Sequence, residues 1–391
     1  MDIIHQIMNI ALPPMVLTVF FLSTYMFFKL LLSIIKFIFI EDVAGKVVLI
    51  TEASSGIGQQ LAYEYASRGA FLALVTRREN RLREIALKAY ELGSPGVIVI
   101  PADVSKAEDC KRIVDVTVNH FGQLDHLVSN VGVVPIRKFE NTTDNTNFAT
   151  TMDSSFWGSA YGTYFAVPHL KRSKGKIVAI ASAAGWLPAR RLSFYNVKKS
   201  HQHPIINSPF FDKYSFIDSR TALRLKSMQA SKAAMISLYE ILRVDIGRDI
   251  GITIVTSGLI ESEMTQRKIL SKDGQMVLGP EMRDALISII PIAPLTECAK
   301  AIVNAACRGE KHLTEPSWVS VTLFWRLFFP DIVESNRLGL PAPGSSERDT
   351  PSKKLLEKTG LKKCIYPSTV QFPELRTEIT SINSGPFNVN T

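Results

Sequence analysis

The chain of 391 residues is predicted to form an α/β domain on a doubly wound parallel sheet, with a hydrophobic membrane-anchor segment ahead of it. Three observations predict this. Short apolar runs recur at separations that leave room for a helix between neighbours, the pattern of a parallel sheet wound by helices. One of those runs, ending at Thr51, passes through a small-residue turn with Gly56 and Gly58 into a helical pattern. Ahead of all of them, Ile7 to Phe28 contains no charged residue.

The N-terminal run is long enough to cross a bilayer core of about 30 Å. Lys29, a second apolar run, Lys36 and then Phe37 to Ile40 follow before Glu41, so residues 1–40 read as one anchor. A cleaved signal is not expected, because the start holds Asp2 and no Lys or Arg, and no A-x-A site precedes the folded domain. Pro13 and Pro14 each remove a helix hydrogen bond, which permits a kinked single pass or a bent, two-armed insertion. Lys29 and Lys36 lie on the carboxyl side, so the positive-inside bias puts the catalytic domain in the cytosol. Glycosylation of Asn141, in an N-T-T acceptor, would oppose that orientation.

Residues 41–342 read as a single Rossmann-like domain. Lys46 to Thr51 is the first strand. Glu52-Ala-Ser54-Ser55-Gly56-Ile57-Gly58 is the turn that opens the first helix, which continues through Ser67. Such a turn lays backbone N–H groups against a pyrophosphate at a helix N-terminus. Further strands follow at Phe71 to Val75, Val97 to Ile100, Leu124 to Ser129 and Lys176 to Ala181. Thr76-Arg77-Arg78 stands where the second strand ends, the place at which an acid would hold a ribose 2′-hydroxyl. An arginine fork there suits a 2′-phosphate, so NADP is the expected cofactor.

Thr51-x-x-x-x-Gly56-x-Gly58, Asp103-Val104, Ser129-Asn130-Val131-Gly132, Ser182 and Tyr195-x-x-x-Lys199 together resemble the short-chain dehydrogenase/reductase pattern. Ala11-Leu-Pro-Pro14, Ala183-Ala-Gly-Trp-Leu-Pro188, Ser193-Phe-Tyr-Asn196, Gly258-Leu-Ile-Glu-Ser-Glu-Met-Thr265 and Asp349-Thr-Pro-Ser-Lys-Lys354 look like the plant steroleosins, the 11-beta-hydroxysteroid dehydrogenase-like proteins. This resemblance covers nearly the whole chain except residues 197–229. It implies an NADP-dependent enzyme that interconverts a sterol hydroxyl and ketone at an endoplasmic reticulum membrane or lipid droplet. Tyr195 takes the acid/base role, Ser182 orients the substrate oxygen, and a lysine binds the ribose and lowers the Tyr pKa. The resemblance also implies that Asp103 contacts the adenine and that Asn130 and Gly132 line the cofactor cleft.

The lysine has two candidates. Lys199 keeps the literal spacing from Tyr195, whereas the family's usual Ala-Ser-Lys-Ala-Ala appears only at Ala230-Ser-Lys232-Ala-Ala234, leading into a helix expected over Ala233 to Asp249. Residues 197–229 therefore interrupt the active-site helix. Their ends suit a translated intron, since every valine codon begins GT and one glutamine codon is CAG; an evolved surface loop is the alternative. Pro204 and Pro209 would end a helix begun at Tyr195.

Three departures from the family pattern point to impaired catalysis. Glu52 replaces the first turn glycine, bringing a carboxylate near the pyrophosphate, unless it points outward. Ser155 stands in place of an Asn that supports the proton-relay water, and Ser257 in place of a Pro beside the nicotinamide. The alternative function is then a sterol-binding or lipid-surface protein.

The net charge of +9 does not signal nucleic acid, since no basic run carries interleaved aromatics. Much of it sits in the interruption, with Lys198, Lys199, Lys213, Arg220, Arg224 and Lys226 against Asp212 and Asp218. Cys110, Cys298, Cys307 and Cys364 are far apart and show no zinc-site spacing, so no metal is expected. Trp318 to Phe329 suits a sterol-binding or membrane-contacting helix, or core or homodimer packing. Residues 343–391 read as an extended tail. The partners expected are a sterol or steroid substrate, a membrane or lipid-droplet surface and a second copy of the chain.

Overall fold

The computed structural model describes residues 2–38, 40–131, 152–185, 219–261, 268–270, 276–278 and 292–328. In chain order its elements begin with α1 (Asp2–Ile38), β1 (Val47–Thr51), α2 (Gly56–Ser67), β2 (Phe71–Thr76), α3 (Glu79–Glu91), β3 (Val97–Pro101), α4 (Ala107–Phe121) and β4 (His126–Ser129). A π-helical turn (Asp153–Trp157), α5 (Gly158–Ser173), β5 (Lys176–Ser182), a 3-10 turn (Ala183–Gly185), α6 (Ser219–Ile246) and β6 (Gly251–Ser257) follow. The hairpin strands β7 (Lys268–Leu270) and β8 (Met276–Leu278), then α7 (Leu295–Cys307), β9 (His312–Glu315) and α8 (Val319–Phe328), complete the list.

Seven of the strands form one parallel sheet in the order β3-β2-β1-β4-β5-β6-β9. Helices cover both faces, which is why all five residues of β1 are buried and why its sequence is a continuous apolar run. On one face α2, α3 and α7 meet the sheet around Leu61, Tyr65, Leu82 and Ile302. On the other, α4, α5 and α6 pack around Ile113, Leu170 and Tyr239. The order steps outward from β1 to β3 and then returns to β4 on the other side of β1. The connections at the carboxyl ends of β1 and β4 therefore leave in opposite directions and open a crevice there.

The five expected strands are present, with β4 starting at His126 rather than Leu124. The Asp125 carboxylate instead accepts the Val47 N–H at 2.8 Å, fastening the start of the neighbouring strand. Strands β6 and β9 extend the sheet beyond what the apolar runs announced. The latter is a short edge strand, His312-Leu-Thr-Glu315, with no run to mark it.

Helix α1 passes through Pro13 and Pro14 as one element of 37 residues. The Thr18 hydroxyl donates to the Pro14 carbonyl at 2.7 Å, one turn back along the helix. Pro14–Leu31 is long and apolar enough to cross a membrane, and side chains such as Phe20, Phe21 and Phe27 are exposed. Just beyond the helix, Glu41 is fixed to the amino-terminal edge of the sheet. Its carboxylate lies 2.5 Å from Lys176 Nζ and 3.5 Å from His126 Nε2, and its N–H donates to the Cys307 carbonyl at 3.2 Å. Burial would raise the Glu41 pKa, but hydrogen bonds from His126 and Lys176 outweigh it and pull the value down to about 2.

Candidate active site

The candidate residues within the described segments gather along the carboxyl edge of the sheet. Thr51 ends β1, Thr76 ends β2, Asp103 follows β3, Asn130 follows β4, Ser182 ends β5 and Ser257 ends β6. Thr51 Oγ1 donates to the Val128 carbonyl at 3.2 Å and accepts the Asn130 N–H at 3.0 Å, tying the two strands that border the crevice.

The glycine turn requires its glycines for two different reasons. Gly56 has φ +56°, a region that suits a residue without Cβ, and helix α2 starts there. At Gly58 a Cβ would lie 2.4 Å from Asn130 Nδ2 and 2.5 Å from the Glu52 carbonyl, so only hydrogen lets α2 approach β4 this closely. The helix N-terminus carries the positive end of its dipole and free N–H donors. Arg78 closes the other side, donating from Nη2 to Ser54 Oγ at 2.8 Å and to Ser55 Oγ at 3.1 Å. Arg77 is exposed beside it. These donors, the glycine spacing and the crevice fit a dinucleotide: the turn and α2 would hold the pyrophosphate, and Arg77 with Arg78 the ribose end.

Local contacts shape two loops beside the crevice. Glu52 does not point outward: its Oε2 accepts a hydrogen bond from Thr76 Oγ1 at 3.3 Å, toward the end of β2, and its backbone takes the left-handed φ of 50°. Burial raises its carboxyl pKa, while the charge of Arg77, the Thr76 hydroxyl and the charge of Arg78 oppose that rise. Asp103 turns its carboxylate onto its own loop, accepting Ser105 N–H at 3.1 Å and Ser105 Oγ at 2.8 Å. Val104, buried beside it, backs the loop against α5, where a Cβ on Gly158 would stand 2.9 Å from the Val104 carbonyl.

Ser182 and Lys232 lie toward the other end of the crevice. Ser182 Oγ donates to the Ser257 carbonyl at 3.3 Å across the β5–β6 ladder. Lys232 is 6% exposed and donates to the carbonyls of Val131 at 2.7 Å and Ile180 at 2.9 Å, just past β4 and two residues before Ser182. Burial lowers its pKa to about 8. Its helix packs onto the turn after Ser182, where a Cβ on Gly185 would meet the Lys232 backbone carbon at 3.0 Å. Helix α6 starts at Ser219, so the motif Ala230-Ser-Lys232 lies inside a continuous helix rather than at its start. Gly132, Tyr195, Lys199 and residues 197–218 lie outside the described residues.

Ser257 is accommodated as a strand residue: its hydroxyl donates to the Ala181 carbonyl at 2.9 Å. Ser155 sits in the π-helical turn, fully buried, and its Oγ has no hydrogen-bond partner among the described residues. One neighbour the sequence reading missed is Val319, whose Cγ2 would be 2.6 Å from a Cβ on Gly258. It seats helix α8 against the end of β6, while Val321, Phe324 and Phe328 remain more than half exposed. The apolar run from Trp318 was the signal for it, but not for which residue turns inward.

Comparison with known proteins agrees with this geometry. Residues 46–203 match the model of the short chain dehydrogenase family. The chain is 46% identical to 11-beta-hydroxysteroid dehydrogenase A of Sesamum indicum, over 97% of this chain and all of that protein. It is 44% identical to 11-beta-hydroxysteroid dehydrogenase 1A of Arabidopsis thaliana over the same shares. The fold matches the crystal structure of an NADH-dependent reductase responsible for alginate metabolism, with a TM-score of 0.50 and 21% identity, over 70% of this chain and 96% of that one. With relatives this similar along their full length, the chain belongs to the short-chain dehydrogenase family of oxidoreductases and, within it, to the plant 11-beta-hydroxysteroid dehydrogenase-like group.

Proposed function

We propose that the protein is an NADP-preferring hydroxysteroid dehydrogenase that interconverts a sterol or steroid hydroxyl and ketone while held at a membrane or lipid-droplet surface by residues 1–40. The observation that carries the reading is that Ser182 ends β5 while a buried Lys232 is held by the carbonyls of Val131, just past β4, and Ile180, two residues before Ser182, along the same carboxyl edge as the glycine turn. When bound, the nicotinamide supplies or accepts the hydride. The chain's own residues do the rest. The Ser182 hydroxyl orients the substrate oxygen, and the Tyr195 hydroxyl holds or gives up the proton at that oxygen. A lysine ammonium beside the Tyr favours its phenolate and so lowers its pKa. Lys232 rather than Lys199 fills that role in this reading, since its hydrogen bonds to the Val131 and Ile180 carbonyls hold the amine at the strand ends.

Lys29 and Lys36 favour keeping the catalytic domain, residues 41–342, on the cytosolic side of an endoplasmic reticulum membrane or droplet surface. Helix α8, seated on Gly258 with its aromatic side exposed, borders the substrate end. The test is a purified full-length chain in detergent, assayed for NADPH-dependent thermal stabilisation and for turnover of a hydroxysteroid and ketosteroid panel. Both together support the reading, and neither would remove it.

A second reading, a catalytically weak relative that binds sterol or a lipid surface, draws on the buried, unpartnered Ser155 Oγ and on Glu52 in the glycine turn. Dinucleotide binding without turnover would favour it.

A further inference from the structure

Glu52 holds a left-handed φ of 50° that side chains rarely adopt, and its carboxylate reaches the end of β2. There Thr76 Oγ1 donates to Glu52 Oε2 at 3.3 Å and lies 3.3 Å from Ser54 Oγ, which in turn accepts from Arg78 Nη2 at 2.8 Å. The charged groups that face the carboxylate are Arg77 and Arg78 from the connection after β2, and Asp103 from the connection after β3. In doubly wound sites an acid near the end of β2 holds a free ribose 2′-hydroxyl, whereas an arginine there accommodates a 2′-phosphate. This chain brings both to one corner: the arginines follow β2, and the acid arrives from β1.

We propose that Glu52 is a specificity-determining residue that reads the ribose 2′ position from the β1 side, accepting a hydrogen bond from a free 2′-hydroxyl and repelling a 2′-phosphate. It offsets the phosphate preference of Arg77 and Arg78, so the chain discriminates only narrowly between NADP and NAD. The inference rests on the dinucleotide reading above. Removing the charge without changing the size of the side chain is the direct way to expose the arginines' preference. Removing the side chain altogether separates charge from bulk.

The experiment is calorimetric titration of the full-length chain in detergent with NADP+ and, separately, NAD+ at pH 8, for the natural chain, Glu52→Gln and Glu52→Gly. The expected result is that Glu52→Gln shifts the ratio of the two Kd values toward NADP+ by about tenfold, the effect of one charge interaction of ordinary size. Glu52→Gly shifts the ratio in the same direction. A ratio unchanged in both variants overturns the proposal, even if both affinities improve by a common factor, because Glu52 then only fills space. The dinucleotide reading survives that outcome. If none of the three proteins binds either dinucleotide, the reading itself fails and the proposal falls with it.

Discussion

Lys232 donates from Nζ to the carbonyl oxygen of Val131 at 2.7 Å, bridging helix α6 to the residue that follows Asn130. Carbonyl oxygens of Val131 and Ile180 are its hydrogen-bond acceptors, and among the described residues no carboxylate forms an ion pair with it. The ammonium is buried against these two carbonyl oxygens, and burial lowers its pKa to about 8. A charge in that state acts strongly on any neighbouring phenol.

The first prediction follows from this position. Lys232→Met lowers kcat/KM by about 10²- to 10⁴-fold, the range of a lost acid/base contribution, while Lys199→Met costs far less. Steady-state kinetics on the two variants decide between the lysines; a large loss confined to Lys199→Met would reverse the assignment.

The same lysine makes stability depend on pH. Its folded pKa of about 8 lies below the ordinary 10.5, so between those values the unfolded chain binds more protons. Stability contributed by this group therefore rises from pH 8 to 10.5, and Lys232→Met flattens that part of the curve. Chemical denaturation at pH 8 and 10 measures it.

Gly58→Ala places a Cβ 2.4 Å from Asn130 Nδ2 and 2.5 Å from the Glu52 carbonyl. The backbone cannot yield cheaply, so α2 must shift away from the turn that would hold the pyrophosphate. Dinucleotide affinity falls by about tenfold or more, read by titration of NADPH fluorescence. Unchanged affinity would show that the turn is not the phosphate site.

Glu41 ties the exit of the anchor to the sheet, and its depressed pKa gives that tie a signature. With a folded value of about 2 against an ordinary 4.5, its contribution is complete above pH 4.5 and is lost as pH falls toward 2. Glu41→Gln costs about 1–3 kcal/mol near neutrality by removing the carboxylate charge that faces Lys176 and His126, although Lys176 keeps the Ala306 and Cys307 carbonyls as acceptors. Thermal melts of the two proteins at pH 7 differ and converge near pH 2.

Ser155→Asn tests the impaired-catalysis reading. The natural Ser155 Oγ is fully buried without a hydrogen-bond partner among the described residues. The longer amide has donor and acceptor to spare, and the resemblance to the family gives this position an Asn that supports the proton-relay water. Turnover rises in the variant; a fall would show that Ser155 is already matched to its turn.

Much of the fold was legible because parallel strands buried on both faces must be apolar along their length, as Val47–Thr51 and Phe71–Thr76 are. Edge strand β9 was not, since His312-Leu-Thr-Glu315 needs no apolar face of its own. In the site, the turn through Gly56 and Gly58 was readable from the strand-turn-helix spacing, whereas Asn130 and Ser182 came from the family resemblance. The direction of the Glu52 side chain was not readable. It is set by Thr76, 24 residues away in the chain, and by the register that brings β1 beside β2. Likewise the sequence leads to a helix from Ala233, whereas α6 begins at Ser219.

The most direct test of the central claim is NADPH-dependent reduction of a ketosteroid, or NADP+-dependent oxidation of the matching hydroxysteroid, by the purified full-length chain. Product is identified by mass spectrometry, with Ser182→Ala and Lys232→Met alongside. The prediction is turnover by the natural chain that falls by about two orders of magnitude or more in both variants. Turnover that survives both substitutions, or no turnover and no dinucleotide binding by the natural chain, would contradict the account.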